Sequence, residues 1–128
     1  MKKNTKGFTL AELLIVVAII AILVAISIPV FTSQLHKARV AADWANVRAY
    51  YAELQYDFME SEKIDNSKLH EISTNHIGLT SFSLSGQTIT LQEGSIWIRE
   101  EAGNTKGYNI IYECSKYDPK CELTLPTN

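Results

Sequence analysis

The stretch Lys6-Gly7-Phe8-Thr9-Leu10-Ala11-Glu12 runs directly into LLIVVAIIAILVAISIPVF at positions 13–31. Those nineteen apolar positions hold no charge and one hydroxyl, Ser27. As a helix rising about 1.5 Å per residue, they are long enough for a hydrocarbon core of roughly 30 Å. Glu12 stands at the mouth of this run. A carboxylate drawn into a bilayer costs about 2–3 kcal/mol, so it calls for a role or a partner.

The whole chain has 128 residues, room for one domain. With 13–31 set aside, the remaining soluble part is small enough that its core needs outside support. Net charge is −2, and without Lys2, Lys3 and Lys6 the balance is 9 basic against 14 acidic residues, or −5. That gives no electrostatic ground for binding nucleic acid directly. Cys114 and Cys121 frame CSKYDPKC as C-x6-C, and the chain contains no other cysteine. The membrane segment would place them outside the cytoplasm, where disulfides persist, and Asp118-Pro119 favours a turn between them. A Cys114–Cys121 disulfide is therefore expected. The alternative, zinc, needs four ligands, and neither a CxxC nor a paired histidine accompanies these cysteines.

A basic leader before an apolar run has three readings. Ala25-Ile26-Ser27 suits cleavage of an ordinary secretory signal, although Pro29 follows at once and the apolar run continues to Phe31. A plain signal-anchor would be oriented by Lys2, Lys3 and Lys6 on the cytoplasmic side. The third reading accounts for more residues. Gly7, Phe8, Glu12 and Pro29 together resemble the N-terminal segment of type IV prepilins and their pseudopilin relatives, over roughly residues 1–60. The resemblance implies removal of leader 1–7 by a prepilin peptidase, between Gly7 and Phe8, and N-methylation of Phe8. Glycine before the cut leaves room for a protease to approach the backbone.

The same resemblance implies a partner for Glu12, namely the new Phe8 amine of a neighbouring subunit. Inside a bundle of apolar helices that pair would mark the register, because a slipped neighbour leaves both charges unpaired. A glutamate capping its own helix is the competing role, and the two can coexist. Pro29 has no N–H to give the carbonyl of Ala25, so a kink or loosened turn is expected there, with Ser27 satisfying nearby backbone groups. The implied partners are other copies of the chain and related pilins, the peptidase and methyltransferase, the pilus assembly machinery and, before assembly, the membrane. The chain would sit in the cytoplasmic membrane, N-terminus inside, and later in a surface filament for adhesion, motility or aggregation. Two alternatives stand: a pseudopilin of a type II secretion or competence (DNA-uptake) system, and a non-polymerising secreted or anchored domain.

Beyond Phe31 the chain turns polar with no Gly or Pro between Pro29 and Gly78. Val40, Trp44, Val47, Tyr51, Leu54 and Phe58 recur at helical spacing, with Lys37, Arg39, Asp43, Arg48, Glu53 and Asp57 on the opposite face. One helix from Phe8 to Ser61 is predicted, its apolar half at 8–31 and its amphipathic half at 32–61. Residues 62–128 form the head. Positions 62–79 read as a loop with a helical turn near Ser67–Ile72. Short β-rich runs follow at Ser81–Leu84, Thr88–Leu91, Ser95–Ile98 and Tyr108–Tyr112. Turns are signalled at Ser85-Gly86, Glu93-Gly94 and Ala102-Gly103-Asn104. The expected fold class is α+β, a long N-terminal helix packed on a small antiparallel sheet, which is also the fold that the resemblance to type IV pilins implies.

The remaining residues offer little chemistry. His36, His70 and His76 lack metal spacing and read as solvated or packing side chains. Gly86, Gly94, Gly103 and Gly107 fit hairpin turns rather than a phosphate loop. Trp44, Tyr50, Tyr51 and Tyr56 suit core packing. With no readable catalytic set, no metal site and no cofactor are expected, and the chain is not read as an enzyme.

Overall fold

The computed structural model describes residues 4, 6–71, 77–102, 107–114 and 121–127. A single helix, α1, spans Leu10–Ser61 over 52 residues. It begins two residues later than predicted because Thr9 takes the N-cap position. Its end is marked by Glu62, whose φ of 53° lies in the left-handed region and closes the helix. The chain divides into two compact units, Met1–Leu35 and His36–Asn128.

In the first unit the helix is apolar on every side. Long enough and apolar enough to cross a membrane, it has none of its apolar window buried in the single chain. Phe8 and Phe31 are 95% and 68% exposed. A helix greasy all round is stable only against lipid or other apolar helices.

The second unit has its core on one face of the remaining helix. Val40, Asp43, Val47, Tyr50 and Leu54 are buried, at spacings of three and four. Trp44, Tyr51 and Phe58 pack at the margin of the core. The buried stripe is thus centred one position away from the predicted one, and Asp43 belongs to it. Its assignment to the solvated face is corrected by an exposure of 1%. Hydrophobic spacing cannot reveal an acid that is buried because backbone donors await it.

Five strands follow, β1 (Ser81–Leu84), β2 (Gln87–Thr90), β3 (Gly94–Glu100), β4 (Tyr108–Cys114) and β5 (Leu123–Leu125). Instead of one sheet they form two: an antiparallel β1-β2 hairpin and an antiparallel sheet ordered β3-β4-β5. The hairpin turns through Ser85 and Gly86, both at positive φ (49° and 82°), as a two-residue turn requires. Gly94, expected in a turn, opens β3 opposite Cys114. A Cβ there would run into the Glu113 carbonyl and the Tyr112 ring. β5 was not anticipated. Its Leu123 and Leu125 are buried while Thr124 is exposed, and three residues are too few for the period to show in sequence.

Alternation is clear in β4, where Tyr108, Ile110, Tyr112 and Cys114 all join the core with Ile96 and Ile98 of β3. Tyr50 stacks on Phe82 with ring centroids 4.4 Å apart, tying the hairpin to the helix. Each fully buried Ile or Leu here is worth about 1.5–3 kcal/mol. The predicted helical turn is a short 3-10 turn at Asn66–Lys68, capped by Asp65 through the Ser67 N–H at 3.0 Å. Ile72, His76, Gly103, Asn104 and the Asp118-Pro119 turn lie outside the described residues.

Candidate functional site

Gly7 and Phe8 lie in non-helical backbone just ahead of the N-cap. No atom outside its two neighbours comes within 4 Å of where a Gly7 Cβ would stand. Thr9 and Glu12 then form a reciprocal cap: the Thr9 N–H donates to Glu12 Oε2 at 2.8 Å, and the Glu12 N–H to Thr9 Oγ1 at 3.3 Å. This is the capping box, which satisfies two of the donors left over at a helix start. Glu12 is thus engaged by its own helix. One carboxylate offers about four acceptor sites, so the cap does not exhaust it.

Pro29 lies inside α1. Ser27 Oγ donates to the carbonyl of Leu23 at 2.6 Å, and Thr32 Oγ1 to that of Pro29 at 3.0 Å. Ser27 therefore does not serve the Ala25 carbonyl that the proline leaves without an N–H. It bonds back one full turn, as helical serines do.

In the head, Asp43 is the organising polar residue. Its carboxylate accepts from the N–H groups of Gln92 and Glu93 at 2.9 Å each, and from Tyr112 Oη at 2.9 Å. Burial first, and this carboxylate second, push the Tyr112 phenol well above its usual range, so it remains a donor. The connection between β2 and β3 is thereby fastened to the helix.

The same connection presents Glu93. Its Oε1 takes Arg39 at 3.2 Å and its Oε2 faces His36 Nδ1 at 3.0 Å. Arg39, with His36 adding to it, holds the Glu93 carboxyl below the ordinary carboxylate range. Cys114 and Cys121 are joined as a disulfide, as expected, with Cα atoms 6.0 Å apart. Trp44 Nε1 donates to the Cys121 carbonyl at 3.3 Å, drawing the bridge against the helix. His36 is neither solvated nor merely packing: its Nδ1 meets Glu93, and a ring nitrogen lies within 4.8 Å of both disulfide sulfurs. Nothing in the spacing of positions 36, 93, 114 and 121 could have shown that. His70 bridges by backbone to Ile98, and its Nε2 lies 3.1 Å from the Ile77 carbonyl.

The chain thus joins an exposed apolar helix, with a capped acid at its mouth, to a disulfide-bearing α+β head. Residues 2–28 match the family model described as the prokaryotic N-terminal methylation motif. The chain is 33% identical over 115 residues to a fimbrial protein of Pseudomonas aeruginosa, covering 84% of this chain and 75% of that one. It is 44% identical over 82 residues to the type IV wide pilus major component of Thermus thermophilus, 64% of this chain and 56% of that protein. A third relative is the type IV major fimbrial protein of Dichelobacter nodosus, 33% identical over 78 residues, 61% of this chain and 49% of that one. No solved structure gave a significant match. The chain belongs to the type IV pilin family, a family of structural subunits.

Proposed function

We propose that this chain is a precursor of a type IV pilus subunit, cut between Gly7 and Phe8 and methylated on the Phe8 amine. It waits in the cytoplasmic membrane through its apolar helix, N-terminus inside, and then packs that helix against those of sister copies in a surface filament. The observation that carries this reading is the first unit itself. Its apolar side chains cover every face of the helix and are all exposed, with a single acid at the mouth. Lipid covers such a surface in the monomer, and only identical surfaces cover it once the subunit leaves the membrane.

Transfer from lipid to a helix bundle gains little from the hydrophobic effect, since lipid tails are as apolar as leucine. Close packing and the pairing of charge must supply the preference. Ala21 and Ala25, at small-xxx-small spacing, let neighbouring backbones approach. Glu12 supplies the charge pairing with the Phe8 amine of the adjacent copy, in a low-dielectric bundle where either charge alone is strongly penalised. The relatives named above are pilus and fimbrial proteins, which favours a pilus over a secretion or competence pseudopilus. A peptidase, a methyltransferase and an assembly machine are the partners this route needs, and adhesion, motility or aggregation is the use such a filament serves.

Intact-mass measurement on the protein from its host tests the route. Loss of residues 1–7 with one added methyl group on Phe8 is expected. Removal through Ser27 would establish a secretory signal instead, and an untrimmed chain a plain anchor.

A further inference from the structure

A second cluster of chemistry-bearing side chains lies where β4 ends. A ring nitrogen of His36 and the sulfurs of Cys114 and Cys121 all fall within 4.8 Å of one another. The two cysteines are buried, and the His36 side chain is 19% exposed. Zinc bound to two thiolates and an imidazole holds its donor atoms about 3.5 Å apart. The three side chains are therefore close to ligating distance once the sulfurs part.

The second observation lies behind the imidazole. Glu93 Oε2 stands 3.0 Å from His36 Nδ1, and Arg39 pins the other carboxylate oxygen. A carboxylate can only accept, so the shared hydrogen resides on Nδ1, and Nε2 is the ring nitrogen that would be offered to a metal. Carboxylate–histidine pairs of this kind hold metal-ligating imidazoles in tautomer and orientation. A histidine serving only as packing has no need of one.

We propose that, when the Cys114–Cys121 bond is reduced, Cys114, Cys121 and His36 bind a single Zn²⁺, with Glu93 orienting His36 and water in the fourth position. A dithiol reductant delivers two electrons and two protons to the sulfurs and leaves as its own cyclic disulfide. Zinc then displaces those two protons to solvent as both thiolates bind. Disulfide and zinc are thus alternative closures of one loop, and the metal form belongs to a head whose cysteines have not yet been oxidised.

The test uses the full chain in detergent micelles, reduced with dithiothreitol under argon, freed of reductant and titrated with Co²⁺. A tetrahedral cobalt spectrum with thiolate charge-transfer absorption is expected, abolished by stoichiometric Zn²⁺ and absent from the oxidised protein. Replacement of the ligand, His36→Ala or the better-packed His36→Gln, should weaken Zn²⁺ binding by on the order of 100-fold, and Glu93→Gln by roughly 10-fold. An octahedral spectrum, or no binding, overturns the proposal. So does Zn²⁺ affinity unchanged in both His36 variants, which is also what a head unfolded by reduction would give through its thiols alone. Failure here leaves the processing route untouched, because the mass of the native subunit is read independently.

Discussion

Tyr112 Oη donates to Asp43 Oδ2 at 2.9 Å across 69 positions of sequence, joining the middle of α1 to the central strand of the three-stranded sheet. The same carboxylate receives two backbone N–H groups from the β2–β3 connection. Among the described residues its donors are neutral, so it fastens the head through hydrogen bonds. Asp43→Ala would leave the buried Tyr112 hydroxyl without its acceptor, at about 1–3 kcal/mol, and would also release the part-buried N–H groups of Gln92 and Glu93. Tyr112→Phe removes one donor and leaves the acceptor with its backbone partners, which should cost about 1 kcal/mol. Urea unfolding of the head, followed by near-UV circular dichroism in micelles, should rank the two variants in that order. Equal losses would mean that Tyr112, rather than the backbone of Gln92 and Glu93, is what Asp43 is there to hold.

Glu93 gives the head an acid limit. Its carboxyl is held below the ordinary glutamate range, first by Arg39 and then by His36. A group whose folded value is depressed contributes stability above its unfolded value and loses it as pH falls through the folded one. Stability should therefore decline below about pH 4.5, and Glu93→Gln should flatten that decline. Arg39 is about half exposed, so Arg39→Ala should remove only a fraction of a kcal/mol at neutral pH. Denaturant midpoints across the acid range in both variants measure it. An acid limb as steep in Glu93→Gln as in the parent would assign the loss to other carboxylates.

Much of this architecture is legible in the residues, and the parts that are not share a cause. The apolar run at 13–31, the Ser85-Gly86 turn and the alternation of Tyr108, Ile110 and Tyr112 are local patterns, and each element stands where its pattern lies. The burial of Asp43 is not legible in the sequence because it depends on donors 49 and 50 positions away. His36, expected as a solvated or packing side chain, takes its place for the same reason, since its neighbours at 93, 114 and 121 share no spacing with it. β5 is not legible either, because Leu123-Thr124-Leu125 is too short to stand out from a loop. At the helix mouth, Thr9-x-x-Glu12 is a capping-box pattern plain in the sequence. Its meaning was divided, because the same carboxylate serves a local donor and suits a distant one.

Pro29 provides a test of whether the helix gains by being loosened. Pro29→Ala would restore an N–H to the Ala25 carbonyl and remove the ring clash one turn back, a change worth about 3 kcal/mol in a helix interior. Amide exchange of residues flanking position 29 should slow markedly in the micelle-bound monomer. Filaments of the variant should bend and extend less under load. Unaltered exchange would show that the proline costs the helix nothing at this place.

The helix mouth can be dissected because the two roles of Glu12 respond to different substitutions. Thr9→Val keeps the carboxylate but removes the hydroxyl that caps the Glu12 N–H, a loss of about 1 kcal/mol confined to the first turn. Glu12→Gln keeps an acceptor for the Thr9 N–H but removes the charge. If capping were the whole purpose of Glu12, the glutamine would assemble nearly as well as the parent, since Glu and Gln both complete a capping box. If the charge answers the Phe8 amine of a neighbour, Glu12→Gln and Glu12→Val should both accumulate in the membrane. Both should enter filaments at least 10-fold less well, the equivalent of about 1.4 kcal/mol per contact. Thr9→Val should remain near the parent by this comparison. Sheared-filament yield against membrane-bound subunit, measured for the three variants side by side, decides between cap and charge. Normal filament yield from Glu12→Gln would remove the charge pair from the account and leave helix packing alone to set the register.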